Sequence, residues 1–240
     1  LSLIIAYTSI LWRSGIFSKI LSSKSSLISP FKTLKKHKDF TIYRTGSSFI
    51  DILTNWHIVL IAPLIASAQE IGLLALAIMM TKTPSYPFLQ SICSFNYSQG
   101  TNKRKIDKEL LLTITKTSIF GFVCAIIVIV IFNIWGVKLV TMVFGHKWEG
   151  VENYVIILLL PIAISFGLTP FSYSISNLLN KQKHMLVLDT ITLIFFALLA
   201  AVSILLNFNL YYFLLFNSVL SITSTIVKFF TILYHLHRHA

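Results

Sequence analysis

The stretch LLLTITKTSIFGFVCAIIVIVIFNIW, residues 110–135, carries a single charge, Lys116, and is otherwise almost continuously apolar. About 20 helical residues cross the ~30 Å hydrocarbon layer of a bilayer, so this segment reads as a transmembrane helix. Five further stretches of the same kind accompany it: Ser48–Ala66, Ile71–Phe95, Val151–Leu179, Met185–Leu206 and Leu210–Tyr234. The expected fold class is all-α, a polytopic transmembrane bundle of six spans over residues 47–235. Leu1–Trp12 would cover only ~18 Å as a helix and reads as the end of a preceding helix in a truncated chain. Residues 13–46 read as a basic linker, and 236–240 as a short tail.

Composition agrees. The chain is 55% hydrophobic with mean hydropathy +0.80, too apolar for a soluble domain that must wet its own surface. The net charge of +12 could attract nucleic acid, but the basic residues flank apolar spans instead of interleaving with aromatics on one surface. Their distribution is directional: fifteen Lys and Arg fall before the first span, after the second, after the fourth and after the sixth. The opposite loops hold only Lys138 and Lys147. Cytoplasmic loops retain positive charge, so the fifteen-charge side, with the C-terminus, is expected to be cytoplasmic. Trp135, Trp148, Tyr211, Tyr212 and Tyr234 sit near span ends, where rings favour the headgroup layer. Cys93 and Cys124 both fall inside spans and read as small buried residues.

Polar side chains are costly against lipid and are expected to face other helices or a wet cavity. Three spans carry such stripes at helical spacing: Lys82, Tyr86 and Gln90 in the second; Ser165, Thr169, Ser172 and Ser176 in the fourth; Asn217, Ser221, Ser224 and Lys228 in the sixth. The first span adds Asp51, Thr54 and Asn55 on one face. Asp51 is open to two readings, an ion-coupling carboxylate or a residue that caps the helix start and reaches water. Lys82, near mid-span, must meet water, a counter-charge or a substrate. Lys116 and Lys228 are expected to snorkel, and His57 to pack at a helix interface. The fifth span reads as almost devoid of polar groups and mostly lipid-facing. Pro63, Pro84, Pro87, Pro161 and Pro170 lie inside spans, where prolines kink helices that border cavities.

With these residues placed, a family resemblance emerges. Tyr43, Arg44 and Thr45 through Asp51, Thr54 and Pro63, followed by Ile71, Gly72, Leu73 and the Leu76–Ala77 pair leading to Pro84, resemble the opening of the C-terminal half of bacterial polysaccharide flippases. Phe144, Gly145 and Trp148 look like that family's Phe-Gly-x-x-Trp element, with Tyr154, Leu158 and Pro161 beyond. The chain departs from the pattern at Ile78 and Met79, where members often carry an arginine; Lys82 follows a turn later.

The resemblance implies the C-terminal lobe of a two-lobed, twelve-helix transporter of the multidrug/oligosaccharidyl-lipid/polysaccharide exporter superfamily, in a bacterial inner membrane. It would flip a polyprenyl-diphosphate-linked oligosaccharide by alternating access, for O-antigen (lipopolysaccharide), capsule or exopolysaccharide biosynthesis. Its implied partners are the bilayer, a missing N-terminal six-helix half and the polysaccharide polymerase machinery. The substrate-cavity candidates are Lys82, Tyr86, Gln90, Ser165, Thr169, Ser172, Asn217 and Ser221, with Asp51 for ion coupling. No cofactor or metal is expected. A drug or cation antiporter of the same superfamily would share the fold but is expected to hold more membrane carboxylates, Asp51 being the one identified. A membrane-embedded polymerase or acyltransferase would need an acid/base constellation. The expected outer loop, Gly136–Gly150, offers only His146 and Glu149, and the alternating His235, His237 and His239 splay apart on a helix. The chain is therefore expected not to be an enzyme.

Overall fold

A computed structural model describes residues 38–103 and 107–239. The short helix expected at 1–12 and most of the basic linker lie outside the described residues. The helical bundle is the compact unit Tyr43–Ala240. In chain order the described elements are α1 (Lys38–Ile65), α2 (Ala68–Lys103), α3 (Lys108–Phe144), a 3-10 turn (His146–Trp148), α4 (Val151–Leu178), α5 (Gln182–Leu205) and α6 (Leu210–His239). Among the described residues there is no strand.

Sequence chemistry accounts for the breaks between helices. Ser67 and Glu70 form a capping box at the start of α2: the Ser67 N–H and Oγ both donate to the Glu70 carboxylate, at 2.9 and 2.8 Å. Asp107 caps α3 by accepting from the Leu110 N–H at 2.7 Å. Asn180 and Asn207 take left-handed conformations after α4 and α5. Beyond each, an N–H reaches back five residues, Lys181 to the Ser176 carbonyl and Phe208 to that of Ser203. Such short connections force consecutive helices to run antiparallel.

Several expected boundaries move. α3 continues to Phe144, so most of the outer loop read at Gly136–Gly150 is helix, and the break comes at Gly145, whose φ is +87°. Gly136 does not terminate the helix because it serves packing: a Cβ there would lie 3.4 Å from that of Glu152 on α4. α1 begins at Lys38, so the end of the expected linker is helical, and α6 carries the expected tail on to His239.

Five helices (α1 and α3 to α6) are long and apolar enough to cross a membrane. α2, at 36 residues, is one residue shorter than α3 but is diluted by Lys82, Gln90 and the run Ser94-Phe95-Asn96-Tyr97-Ser98-Gln99. Large apolar side chains stand exposed along the bundle, among them Trp56, Leu64, Phe120, Ile127 and Ile134. A soluble monomer does not tolerate so continuous an apolar exterior, whereas lipid solvates it. This is a multi-pass membrane protein.

α4 is the axis, packed along α2, α3 and α6, with α5 laid against α6. Two apolar clusters seal it. One, at the end bearing the Ser67 and Gly145–Gly150 turns, gathers Ile58, Ala62, Leu74, Val155, Leu158, Phe213 and neighbours. The other, at the opposite end, is Leu110, Ile114, Ile175 and Ile232. Small residues permit close approach of α3 and α4 in both directions, Gly121 against Phe166 and Gly167 against Phe122.

Pro161 shows how the axis accommodates a kink-forming residue. Lacking an N–H, it leaves the Ile157 carbonyl without its helical donor, and the Ser218 hydroxyl of α6 donates to that carbonyl at 2.9 Å. Ser218→Ala should therefore destabilise the bundle by about 1–3 kcal/mol, the cost of an unsatisfied buried acceptor. In the Pro161→Ala background, where a backbone N–H is restored, the same change should cost much less. Thermal unfolding of the four variants in detergent reads the difference; equal costs in both backgrounds would contradict the pairing.

Candidate functional site

Between the two apolar clusters the polar stripes converge on α1, α4 and α6 and line two cavities. The first, of about 150 Å³, lies among α1, α2, α4 and α6. Lys82, Ser85 and Tyr86 face it from α2, Asn55 from α1, Ser165 from α4, and Asn217, Ser218 and Ser221 from α6. The second, of about 120 Å³, lies among α1, α4, α5 and α6 and takes in Ser47, Asp51, Thr169, Ser172, Ser176 and Lys228. Along α6 the lining passes from Asn217 to Lys228, an axial distance of ~17 Å at ~1.5 Å per residue. The cavities are successive parts of one polar seam.

Of the residues singled out from sequence, Lys82, Tyr86, Ser165, Asn217 and Ser221 meet in the first cavity. Asp51, Thr169 and Ser172 meet in the second. Gln90 is half-buried on α2 and lines neither. Its spacing from Lys82 and Tyr86 puts it on the same stripe, but further along α2 than the cavity extends.

The first cavity is rigidly framed on one side. His57 donates from Nδ1 to the Thr54 carbonyl at 2.5 Å, which leaves Nε2 to accept from the Asn217 amide. Its ring lies 4.5 Å from that of Phe196 on α5. His57 is thus the packed interface residue expected from its position, and it fixes Asn217. On the other side the cavity shares Asn55, Lys82 and Tyr86 with a groove between α1 and α2 whose walls are Ile52, Trp56, Val59 and Ile78. Polar groups and an apolar cleft therefore meet at Lys82.

The second cavity corrects two expectations. α5 turns most of its apolar length outward, as expected, but it is not devoid of polar groups: Asp189, Thr192 and Ser203 are buried on it, and Thr192 pairs with Ser224 of α6 at 2.7 Å. Lys228 does not snorkel; its ammonium lies 2.6 Å from the Asp189 carboxylate. Ser47 of α1 donates to the other oxygen of that carboxylate. Asp51 is consequently not the one well-placed membrane carboxylate. Lys116, by contrast, is exposed on α3, as a snorkelling residue should be. Among the described residues no cluster of His, Cys, Asp and Glu could hold a metal.

No family model, curated protein or solved structure matches this chain.

The two halves of the ion pair are unequally shielded, Asp189 being 6% exposed and Lys228 23%. Lys228→Met strands the more buried charge and should cost about 3 kcal/mol or more, whereas Asp189→Asn, which leaves an ammonium able to reach the cavity, should cost less. The double variant should recover part of the loss. Thermal unfolding in detergent reads all three; additive effects would mean that the pair is not coupled.

Proposed function

We propose that this chain forms one lobe, the C-terminal one, of a flippase for a polyprenyl-diphosphate-linked oligosaccharide used in building cell-surface polysaccharide. The observation that carries the reading is the convergence at Lys82: a cation, a set of amides and hydroxyls, and an apolar cleft all meet at one mid-helix position. A substrate with a diphosphate, sugars and a long lipid tail has those three needs together. In this reading all six helices cross, α2 among them with its polar half turned toward the seam. The end that carries Lys108, Lys181, Lys183 and Arg238 faces the cytoplasm of a bacterial inner membrane. The exposed seam residues would face an N-terminal six-helix lobe, and alternating access between the lobes would carry the head group across.

Asp189 gives some weight to a second reading, a cation-coupled antiporter of the same superfamily, since it adds a second membrane carboxylate to Asp51. The two readings part at Lys82, which an antiporter for cations would have no use for.

Deletion of the gene for the intact protein should make lipid-linked oligosaccharide accumulate on the cytoplasmic leaflet, and the wild-type gene should reverse this. Lys82→Met, which removes a charge-assisted contact of about 1.5–3 kcal/mol, should slow translocation roughly tenfold to a hundredfold. Lys82→Arg should retain most of it. Unchanged glycolipid sidedness on deletion would overturn the flippase reading, and full activity of the Met variant would remove Lys82 from it.

A further inference from the structure

Asp189 and Lys228 are two charges placed within the membrane-crossing helices, an expensive location unless they serve a purpose. Buried ion pairs add little net stability over an apolar replacement of similar volume. This pair is also not sealed in the core. It borders the second cavity, whose about 120 Å³ leaves room for several waters or one small polyanion.

The groups facing Asp189 there are Asp51 from α1, Tyr173 from α4 and Lys228 from α6. The neighbouring Lys183 and His184 on α5 line a different groove. Among the described residues that line the cavity Lys228 is the one Lys or Arg, and it is already engaged by Asp189. In this arrangement an anion entering the cavity has to compete with that carboxylate. Neutralising Asp189 changes that, because the ammonium loses its partner while remaining in the cavity. Asn177, 7% exposed, lines the same space, and its side-chain amide makes no hydrogen bond among the described residues. Together with the Thr169 hydroxyl it could donate to an oxyanion, whereas the Ser172 and Thr225 hydroxyls already donate to the Leu168 and Ser221 carbonyls.

We propose that the cavity at Lys228 is a second anion subsite, for a head group of the diphosphate class, which opens when Asp189 takes up a proton. The proton is added to the Asp189 carboxylate, the ammonium keeps its own, and the anion takes the place of the carboxylate as partner of Lys228. Each binding event is thereby linked to uptake of one proton. Only the identity of the anion rests on the flippase reading; the exchange of partners rests on the ion pair and its cavity.

The test uses the full chain in detergent, in the Lys82→Met background so that the first cavity is silent. The probe is methanedisulfonate, a diphosphate-shaped dianion whose own charge does not change across the working pH range. Its affinity should rise about tenfold per pH unit on acidification until Asp189 is protonated, the slope of one linked proton. Calorimetry in buffers of different ionisation enthalpy should give an uptake of about one proton per anion. Asp189→Asn should bind tightly at pH 8 with no slope, and Lys228→Met should lose binding at every pH. A pH-independent affinity without proton uptake in the otherwise native cavity would overturn the proposal, and that arm needs no change to the pair. So would undiminished binding in Lys228→Met. Because Lys82 is absent throughout, failure of the binding test leaves the translocation assay untouched, and a failed translocation assay leaves the binding result standing.

Discussion

Inside a bilayer there is no water to complete a hydrogen bond, and the arrangement of this bundle follows from that lack. Each backbone group must find its partner within the protein, which selects helices. Each polar side chain must then meet another polar group or a cavity that water can enter. The Ile157 carbonyl left open by Pro161 and closed by Ser218 is the smallest instance. The seam along α1, α4 and α6 is the largest.

The same constraint explains why α4 is the axis. It carries the hydroxyl stripe Ser165, Thr169, Ser172 and Ser176 and two prolines, so it has polar valence to satisfy along its length, and it is the helix most surrounded by others. Apolar packing closes both ends of the seam, while the outward faces of α3 and α5 present aliphatic and aromatic side chains to lipid. The polar region is thus held between apolar ends and opens sideways at Lys82 through a cleft with apolar walls. Two charged positions give the seam a chemical direction: a cation without an acidic neighbour in the lining of the first cavity, and a cation matched by Asp189 in the second.

Much of this was legible in the sequence because membrane helices obey simple periodicities. The spacing of Ser165, Thr169, Ser172 and Ser176, and of Asn217, Ser221 and Lys228, identified two faces of the seam, and Lys82 with Tyr86 a third. Asp189 was not legible: one carboxylate near the start of an apolar span has no periodicity, and its partners lie on helices beginning at residues 38 and 210. Its signal was available only as a count, since an acidic residue inside a span calls for a basic one, and Lys116 and Lys228 both lay near its depth. The extension of α3 past Gly136 was hidden for a different reason. A glycine that allows close packing and a glycine that ends a helix look alike until the facing residue, here Glu152, is known.

If lipid and water divide the surface in this way, the polar residues of the seam form a wet path and the exposed apolar residues do not. With Cys93 and Cys124 replaced by Ala, single cysteines at Ser165, Thr169 and Ser221 should react with a charged, membrane-impermeant methanethiosulfonate in proteoliposomes. Cysteines at Phe120 and Ile127, which are 61% and 52% exposed on the bare protein, should stay unreactive because lipid covers them. Reaction at Phe120 and Ile127 with protection along the seam would contradict this division.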